Sequence, residues 1–276
     1  MSFTLTELKS TIQDYSENTE TTFVNNLREF IRAAENRIFK SVDFEVFRKN
    51  VTSATTSSDR FLSVPDDYLA SFSLSLTNSS NIEFLLEKDV NFIQEYNPNS
   101  STTGVPKYYA RFDVTNFILA PTPNSNYSLE LHYYYRPTSL ADSTIELTVA
   151  SSSSLAVNEV ITGSSSGATA TIKSKNDTTN KLTIIVPTTA FTSGETVTGG
   201  TTGASSAISA ISSDTTTTWL STNARSALLY GSLYESYIFM KGEPDILTLY
   251  EKRFTEELMR LKDLGEAREN ADAYRQ

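Results

Sequence analysis

Hydrophobic spacing changes twice along this chain, from helical at its start to strand-like through the middle and back to helical near the end, so no single-period architecture can accommodate it. Thr4-Leu5-Thr6-Glu7 is a capping-box pattern, in which the threonine oxygen and the glutamate carboxylate each take an amide left free at a helix start. Leu5, Leu8, Ile12 and Tyr15 then share one helical face. After a polar break at 16–19, the series Phe23, Leu27, Phe30, Ile31, Ala34 and Ile38 predicts a second helix, and residues 1–50 read as helical. From 51 to 140 the period falls toward two, with β-branched and aromatic residues and proline-marked turns. Phe61-Leu62-Ser63-Val64 stops at Pro65-Asp66-Asp67, Phe72-Ser73-Leu74-Ser75-Leu76 alternates, and a short helix is expected near 87–96. The strongest strand pair is 116–119 with 127–135, joined through Pro121-Thr122-Pro123-Asn124, where proline removes ladder donors.

Helical spacing returns at 219–264. Ala227, Tyr230, Gly231, Tyr234 and Ile238 form one stripe, and Ile246, Leu249, Tyr250, Phe254, Leu258 and Leu261 form another. Between them Gly242 reads as the left-handed residue closing one helix and Pro244 as the first residue of the next. The polar tail 265–276 is expected to order only against a partner. The sum is an α+β chain: helical segments at 1–50 and 214–276, a central antiparallel β-domain at 51–140, and an inserted β-module at 141–213.

The insert stands apart in composition, since 30 of its 73 residues are Ser or Thr, eight are charged and Phe191 is its only aromatic. Within it Glu159-Val160-Ile161-Thr162-Gly163-Ser164-Ser165-Ser166-Gly167-Ala168 is echoed 36 residues later by Glu195-Thr196-Val197-Thr198-Gly199-Gly200-Thr201-Thr202-Gly203-Ala204. Ile172 and Ile208 keep the same register. Two such units, each a strand, a glycine-bounded turn and a strand, predict an all-β module with internal pseudo-symmetry, and the apolar run 182–186 argues for a core rather than a disordered linker.

Chemistry has few footholds in this sequence. With no cysteine and one histidine, thiolate and zinc sites are excluded and catalytic bases are scarce. His132 lies between Leu131 and Tyr133 in a predicted strand, where a lone histidine is structural or exposed far more often than catalytic. Gly163-Ser164-Ser165-Ser166-Gly167 spells the nucleophile elbow, but that elbow needs a helix after the strand and an acid and a histidine downstream, whereas both flanks here are strand-like and the only histidine lies upstream. No phosphate-binding loop or dinucleotide fingerprint is present. The module also lacks the Trp and Tyr that stack on sugars. No catalytic, cofactor-binding or metal-ligating residue is assigned. Nowhere do eighteen apolar residues run together, and the first residues lack a basic, apolar leader, so neither a membrane span nor an export signal is expected.

Net charge is −10, distributed as −1 over 1–50, −4 over 51–140, −2 over 141–213 and −3 over 214–276. A tight nucleic-acid binder would need a basic face that this distribution lacks; it suits a wall past which DNA slides, but by itself it points first to plain solubility. All 14 tyrosines lie outside the insert, with runs at Tyr108-Tyr109 and Tyr133-Tyr134-Tyr135. In a strand such runs place rings on both faces, so Tyr108, Tyr109, Tyr133 and Tyr135 are candidates either for subunit or tail contacts or for an aromatic core.

Pro65-Asp66, Gly104-x-Pro106-x-Tyr108-Tyr109-Ala110, Leu119-Ala120-Pro121-x-Pro123, Tyr127-x-Leu129-x-Leu131-x-Tyr133 followed by Arg136-Pro137, Trp219-Leu220, and Ala227-Leu228-Leu229-Tyr230-Gly231-Ser232-Leu233-Tyr234-Glu235 occur in an order and spacing that resembles the head-to-tail adaptor proteins of podovirus-type bacteriophages, including the tail tubular protein A class. The likeness covers 1–140 and 214–276. It implies a structural, non-enzymatic virion protein, assembled in the host cytoplasm, with its two chain ends closing one helical bundle. It further implies a dodecamer ring beneath the portal protein, joined to the tail nozzle or tail tubular protein, with genomic DNA only as passing cargo and no membrane partner. Portal contact is implied for the C-terminal segment, here Leu264, Arg268, Asp272, Tyr274 and Arg275. The insert departs from the family pattern; on the outside of a ring it would meet fibre, nozzle or a neighbouring subunit. The competing reading is a receptor-binding or baseplate component whose β-module contacts host or fibre.

Overall fold

Thr4 starts the first helix with both halves of its capping box formed, Glu7 N–H donating to Thr4 Oγ1 at 3.2 Å and Thr4 N–H to Glu7 Oε2 at 3.0 Å. The computed structural model describes residues 2–42 and 45–273, and the chain separates into two units, Met1–Asp43 with Thr138–Gln276, and Phe44–Pro137. Its helices are α1 (Leu5–Ser16), α2 (Thr21–Ser41), α3 (Val90–Tyr96), α4 (Trp219–Asn223), α5 (Arg225–Met240) and α6 (Pro244–Ala273). All but α3 belong to the first unit.

The apolar stripes of α1 and α2 are buried as their spacing dictates except for Tyr15, which is exposed, and α5 packs on both and on α6, but the stripes expected on α5 and α6 turn inward only in part: Ile238 and Leu249 are exposed, and Leu228 and Leu233 are buried instead. Gly231 marks the tightest approach. A Cβ there would lie 2.8 Å from Phe254 and 3.0 Å from the Ala34 methyl, so glycine lets α5 lie against α2 and α6 at once. The α5 terminus differs from expectation: the left-handed residue is Lys241 (φ 53°), not Gly242. Gly242 is required for another reason, since a Cβ on it would meet the Tyr237 ring at 2.6 Å. The segment expected to order only on a partner continues α6 as far as Ala273.

The same unit contains β10 to β15, preceded in chain order by nine strands of the second unit. Those nine are β1 (Arg48–Ala54), β2 (Phe61–Ser63), β3 (Tyr68–Asn78), β4 (Asn81–Glu87), β5 (Thr103–Gly104), β6 (Tyr108–Arg111), β7 (Asn116–Ala120), β8 (Thr122–Pro123) and β9 (Ser128–Tyr135). The insert supplies β10 (Thr144–Val149), β11 (Val160–Gly163), β12 (Thr169–Asn176), β13 (Lys181–Ile185), β14 (Thr196–Gly199) and β15 (Ser205–Ile211). These six close into a barrel in the order β10-β13-β12-β11-β14-β15, filled by Ile145, Leu147, Ile161, Ile172, Leu182, Ile184, Val197 and Ile208. Its apolar interior and the helical stripes belong to one core cluster that also includes Leu140 and Ala141.

In the second unit seven strands run β1-β9-β3-β4-β6-β7-β2 around a core that includes Leu74, Leu76, Phe117, Leu129, Leu131 and Tyr133. Three sequence expectations need correction here. Residues 48–50 are strand, because Arg48↔Tyr134 already begins the β1–β9 ladder, and the helix before them stops at Ser41. The strands at 116–120 and 128–135 are not neighbours: the proline pair cannot donate to a hairpin ladder, β8 pairs instead with β5, and β9 runs between β1 and β3. The sheet is also not wholly antiparallel, since β4 and β6 pair in parallel through Leu86↔Tyr108 and Glu87↔Tyr109. Within β3 the ladder to β9 skips a residue between Ser71 and Ser73. That bulge turns Phe72 outward, 55 % exposed, while Leu74 and Leu76 point in.

Replacing Gly231 by leucine should overpack the α2–α5–α6 crossing and cost about 1–3 kcal/mol. Urea unfolding followed by circular dichroism measures this, and an unchanged midpoint would show that the close approach is not required.

Candidate interaction surfaces

A carboxylate on each repeat of the barrel holds the turn of the other. Glu195, which heads the second unit, accepts from Ser165 N–H and Ser166 N–H at 3.0 Å each, from the Ser165 and Ser166 hydroxyls at 3.1 and 2.7 Å, and from Thr192 N–H at 2.6 Å. Glu159, which heads the first, accepts from Thr202 N–H at 3.1 Å, from the Thr202 hydroxyl at 3.0 Å, from Thr201 N–H at 3.4 Å and from Ala156 N–H. The two sets correspond under the 36-residue offset. Gly163 and Gly199 leave room for these carboxylates, for a Cβ on Gly163 would come 2.6 Å from Glu195 Oε2 and one on Gly199 2.7 Å from Glu159 Cδ. Gly167 (φ 65°) and Gly203 (φ 68°) then turn the chain through the left-handed region.

Both glutamates are buried, which opposes ionisation, yet the donors outweigh burial: Glu159 is held below the usual carboxylate range and Glu195 is lowered from 4.5 to about 2. This accounts for the apparent nucleophile elbow. Ser165 and Ser166 donate to a carboxylate in a strand-to-strand turn, and His132 is in the other unit, its ring half exposed with Nε2 3.4 Å from Glu130 Oε1. Among the described residues no cluster of His, Cys, Asp and Glu could hold a metal ion, and no helix is long and apolar enough to cross a membrane.

The barrel is tied to the helices where the chain leaves them and where it returns. Glu35 on α2, 3 % exposed, accepts from the Ser139 hydroxyl and from Leu140 N–H at 3.0 Å, while Arg32 reaches Asp142 at 2.6 Å. Burial raises the Glu35 pKa in spite of these donors. At the return, Asp214 Oδ2 accepts from Thr6 N–H and its hydroxyl, both at 3.0 Å.

An open apolar surface lies on the second unit. Ile82, Phe84 and Leu86 of β4 are 63, 69 and 57 % exposed. Leu86 is in register with Tyr108, whose ring stands edge-on to Phe92 at 5.1 Å and to Tyr96 at 5.0 Å, and those two α3 rings stack on each other at 5.9 Å. Because β6 meets β4 only at Leu86 and Glu87, no described strand pairs with the far edge of 81–85. Unpaired backbone beside a row of exposed apolar side chains is an association surface. The sequence reading missed it. Its signal was present in Ile82-Glu83-Phe84-Leu85-Leu86, where both strand faces carry apolar residues although only Leu85 turns inward.

The tyrosine candidates divide by strand face. Tyr108 joins the exposed cluster. Tyr109 and Tyr133 are instead core residues, 3 and 1 % exposed, with Tyr109 bonded to Glu87 at 3.1 Å and Tyr133 to Asp67 at 2.7 Å. Tyr135 is half-buried, edge-on to Phe47 at 6.0 Å with the Lys49 ammonium 5.5 Å from its ring centre. Tyr134, not singled out beforehand, is the outward ring of its run and accepts from Arg48 at 2.8 and 3.0 Å. Leu264, Arg268 and Asp272 lie on the last turns of α6, and Tyr274 and Arg275 lie outside the described residues.

The chain matches the family described as SU10 adaptor protein over residues 3–161, more than half of its length, and belongs to that family of bacteriophage adaptors, which is not a family of enzymes. Comparison with individual curated proteins returned no match.

Exchanging Glu195 for glutamine keeps an acceptor but turns an amide on the donors, and should cost about 1–3 kcal/mol. The acid limb supplies an independent check. A carboxylate whose pKa is depressed on folding contributes stability that is complete above about 4.5 and is lost as pH falls toward about 2, so urea midpoints between those values should drop less steeply in Glu195→Gln than in the parent. Parallel acid limbs would show that Glu195 does not carry this stabilisation.

Proposed function

We propose that this chain is the head-to-tail adaptor of a podovirus-type phage, of the tail tubular protein A class, and that its copies form a dodecamer ring between the portal protein and the tail nozzle. The observation that carries this reading is the open β4 edge with Ile82, Phe84 and Leu86 exposed on a member of an adaptor family. A surface of this kind is covered in the assembled state of a protein whose work is association. The uniformly acidic balance, −10 overall, lines a conduit along which DNA moves without adhering. In this reading the end of α6, with Leu264, Arg268 and Asp272 and the following Tyr274 and Arg275, engages the portal. The barrel faces outward, toward fibre, nozzle or a neighbouring subunit.

Electron microscopy of the purified chain with and without its portal tests the proposal. Rings, formed freely or on the portal, are the expected result, and a chain that stays monomeric and ignores the portal would overturn it. Phe84→Asp should weaken ring formation by roughly 30-fold or more, the scale of an interface hot spot of about 2 kcal/mol, while the circular dichroism of the free chain is unchanged.

A further inference from the structure

Lys9 is on the inward face of α1 beside Leu5, Leu8 and Ile12, only 7 % exposed, and makes no hydrogen bond or ion pair with any described residue. A lysine is almost never buried without a partner. Arg28 on α2 shares the problem: its Nε and Nη2 are shut off from water and lack an acceptor among the described residues. The two cations feel each other. Burial first, and then the charge of Arg28, lower the Lys9 pKa to about 8, and burial with the charge of Arg32 lowers that of Arg28 although the charges of Asp142 and Glu29 oppose the shift.

Nearby carboxylates are already engaged, Glu29 and Asp142 by Arg32 and Asp214 by Thr6. Beside the cations lie two hollows of about 230 and 320 Å³ that share the wall Val186-Pro187-Thr188. Arg28 lines one with Thr169 and Thr171, and Lys9 lines the other with Ser10 and Gln13. Lys9, buried, and Arg28, partly buried, thus reach adjoining hollows from separate helices, and Asp214, which also lines the Lys9 hollow, has one carboxylate oxygen taken by Thr6.

We propose that the crevice between α1, α2 and the start of the loop after β13 is an oxyanion site, in which Lys9 and Arg28 together bind one phosphate or carboxylate group. The guanidinium fork and the ammonium match such a group, and the threonine hydroxyls complete its shell. The oxyanion comes either from solution or from a carboxylate on a second copy of this acidic chain.

Calorimetric titration of the unassembled full-length chain with inorganic phosphate, against chloride at matched ionic strength, is the test. Saturable binding is expected, weakened at least about ten-fold by Lys9→Met and by Arg28→Met and retained in Lys9→Arg, which preserves the charge. In anion-free buffer Lys9→Met should melt at or above the parent temperature, because it removes an unpaired buried cation. Absence of saturable binding, equal binding by the parent and both methionine variants, or a lower melting temperature for Lys9→Met in anion-free buffer would each overturn the site. Phosphate binding that persists in assembled particles identifies a free anion as the occupant, and binding lost on assembly identifies the neighbouring copy's carboxylate.

Discussion

A buried carboxylate fixes the geometry of the first unit. Glu35 sits within the apolar face of α2, where burial raises its pKa, and its two acceptor oxygens take the Ser139 hydroxyl and Leu140 N–H at the point where the chain leaves for the barrel. Such a group adds little net stability, because its desolvation offsets much of what its hydrogen bonds return. It does specify position: a shift of the departing chain by one residue would leave the carboxylate buried without donors. With the start of the excursion held by Glu35 and Arg32 and its end by Thr6 and Asp214, Leu140 and Ala141 fall into the shared apolar core. The barrel is thereby fixed to the bundle at both ends.

The barrel solves a different problem, that of folding a segment so rich in serine and threonine. Its hydroxyls and turn amides would compete with the ladders if left free, and many short side chains give little apolar area. Two ionised acceptors resolve the conflict. Each gathers donors from the opposite repeat, so the turn of one unit cannot form correctly unless the head of the other is in place. This reciprocity converts a sequence duplication into one cooperative object, and it explains why the glutamate, the two glycines and the hydroxyl residues at 165/201 and 166/202 are among the positions shared by both copies.

What could be read from the sequence were features set by local spacing. The helical stripes from Leu5 to Ile38, the capping box at Thr4, the short helix before Tyr96 and the repeat follow from period and turn chemistry, as do the two later helices, although their stripes mark the buried face only in part, since Ile238 and Leu249 are exposed and Leu228 and Leu233 buried. Non-local pairing was not legible in the same way. Strength of alternation suggested that 116–119 and 127–135 were partners, but nothing local records that β9 finds β1 and β3 instead, and the extra residue that turns Phe72 outward leaves the spacing of its strand unchanged. The surface candidates suffered similarly. Runs of tyrosine show that rings occupy both faces without showing which, so Tyr133 and Tyr109 were chosen with Tyr108 although only Tyr108 lies in the open cluster. Glu159 and Glu195 stood at the head of each repeat, but a carboxylate that works by accepting across a pseudo-twofold looks in sequence like any charged residue before a strand.

The open β4 edge has to coexist with life as a free chain. Ile82, Phe84 and Leu86 alternate with Glu83 and Glu87, and Asp89 and Glu95 follow on and before α3, so each exposed apolar side chain has a carboxylate close in sequence. Charges so placed blunt edge-to-edge pairing between identical strands, because two copies of β4 brought together in parallel register would set like charges close to one another. A partner strand without that acidic pattern meets no such repulsion and still gains the backbone bonds and the apolar row. The edge therefore discriminates against its own image while remaining available to a different surface.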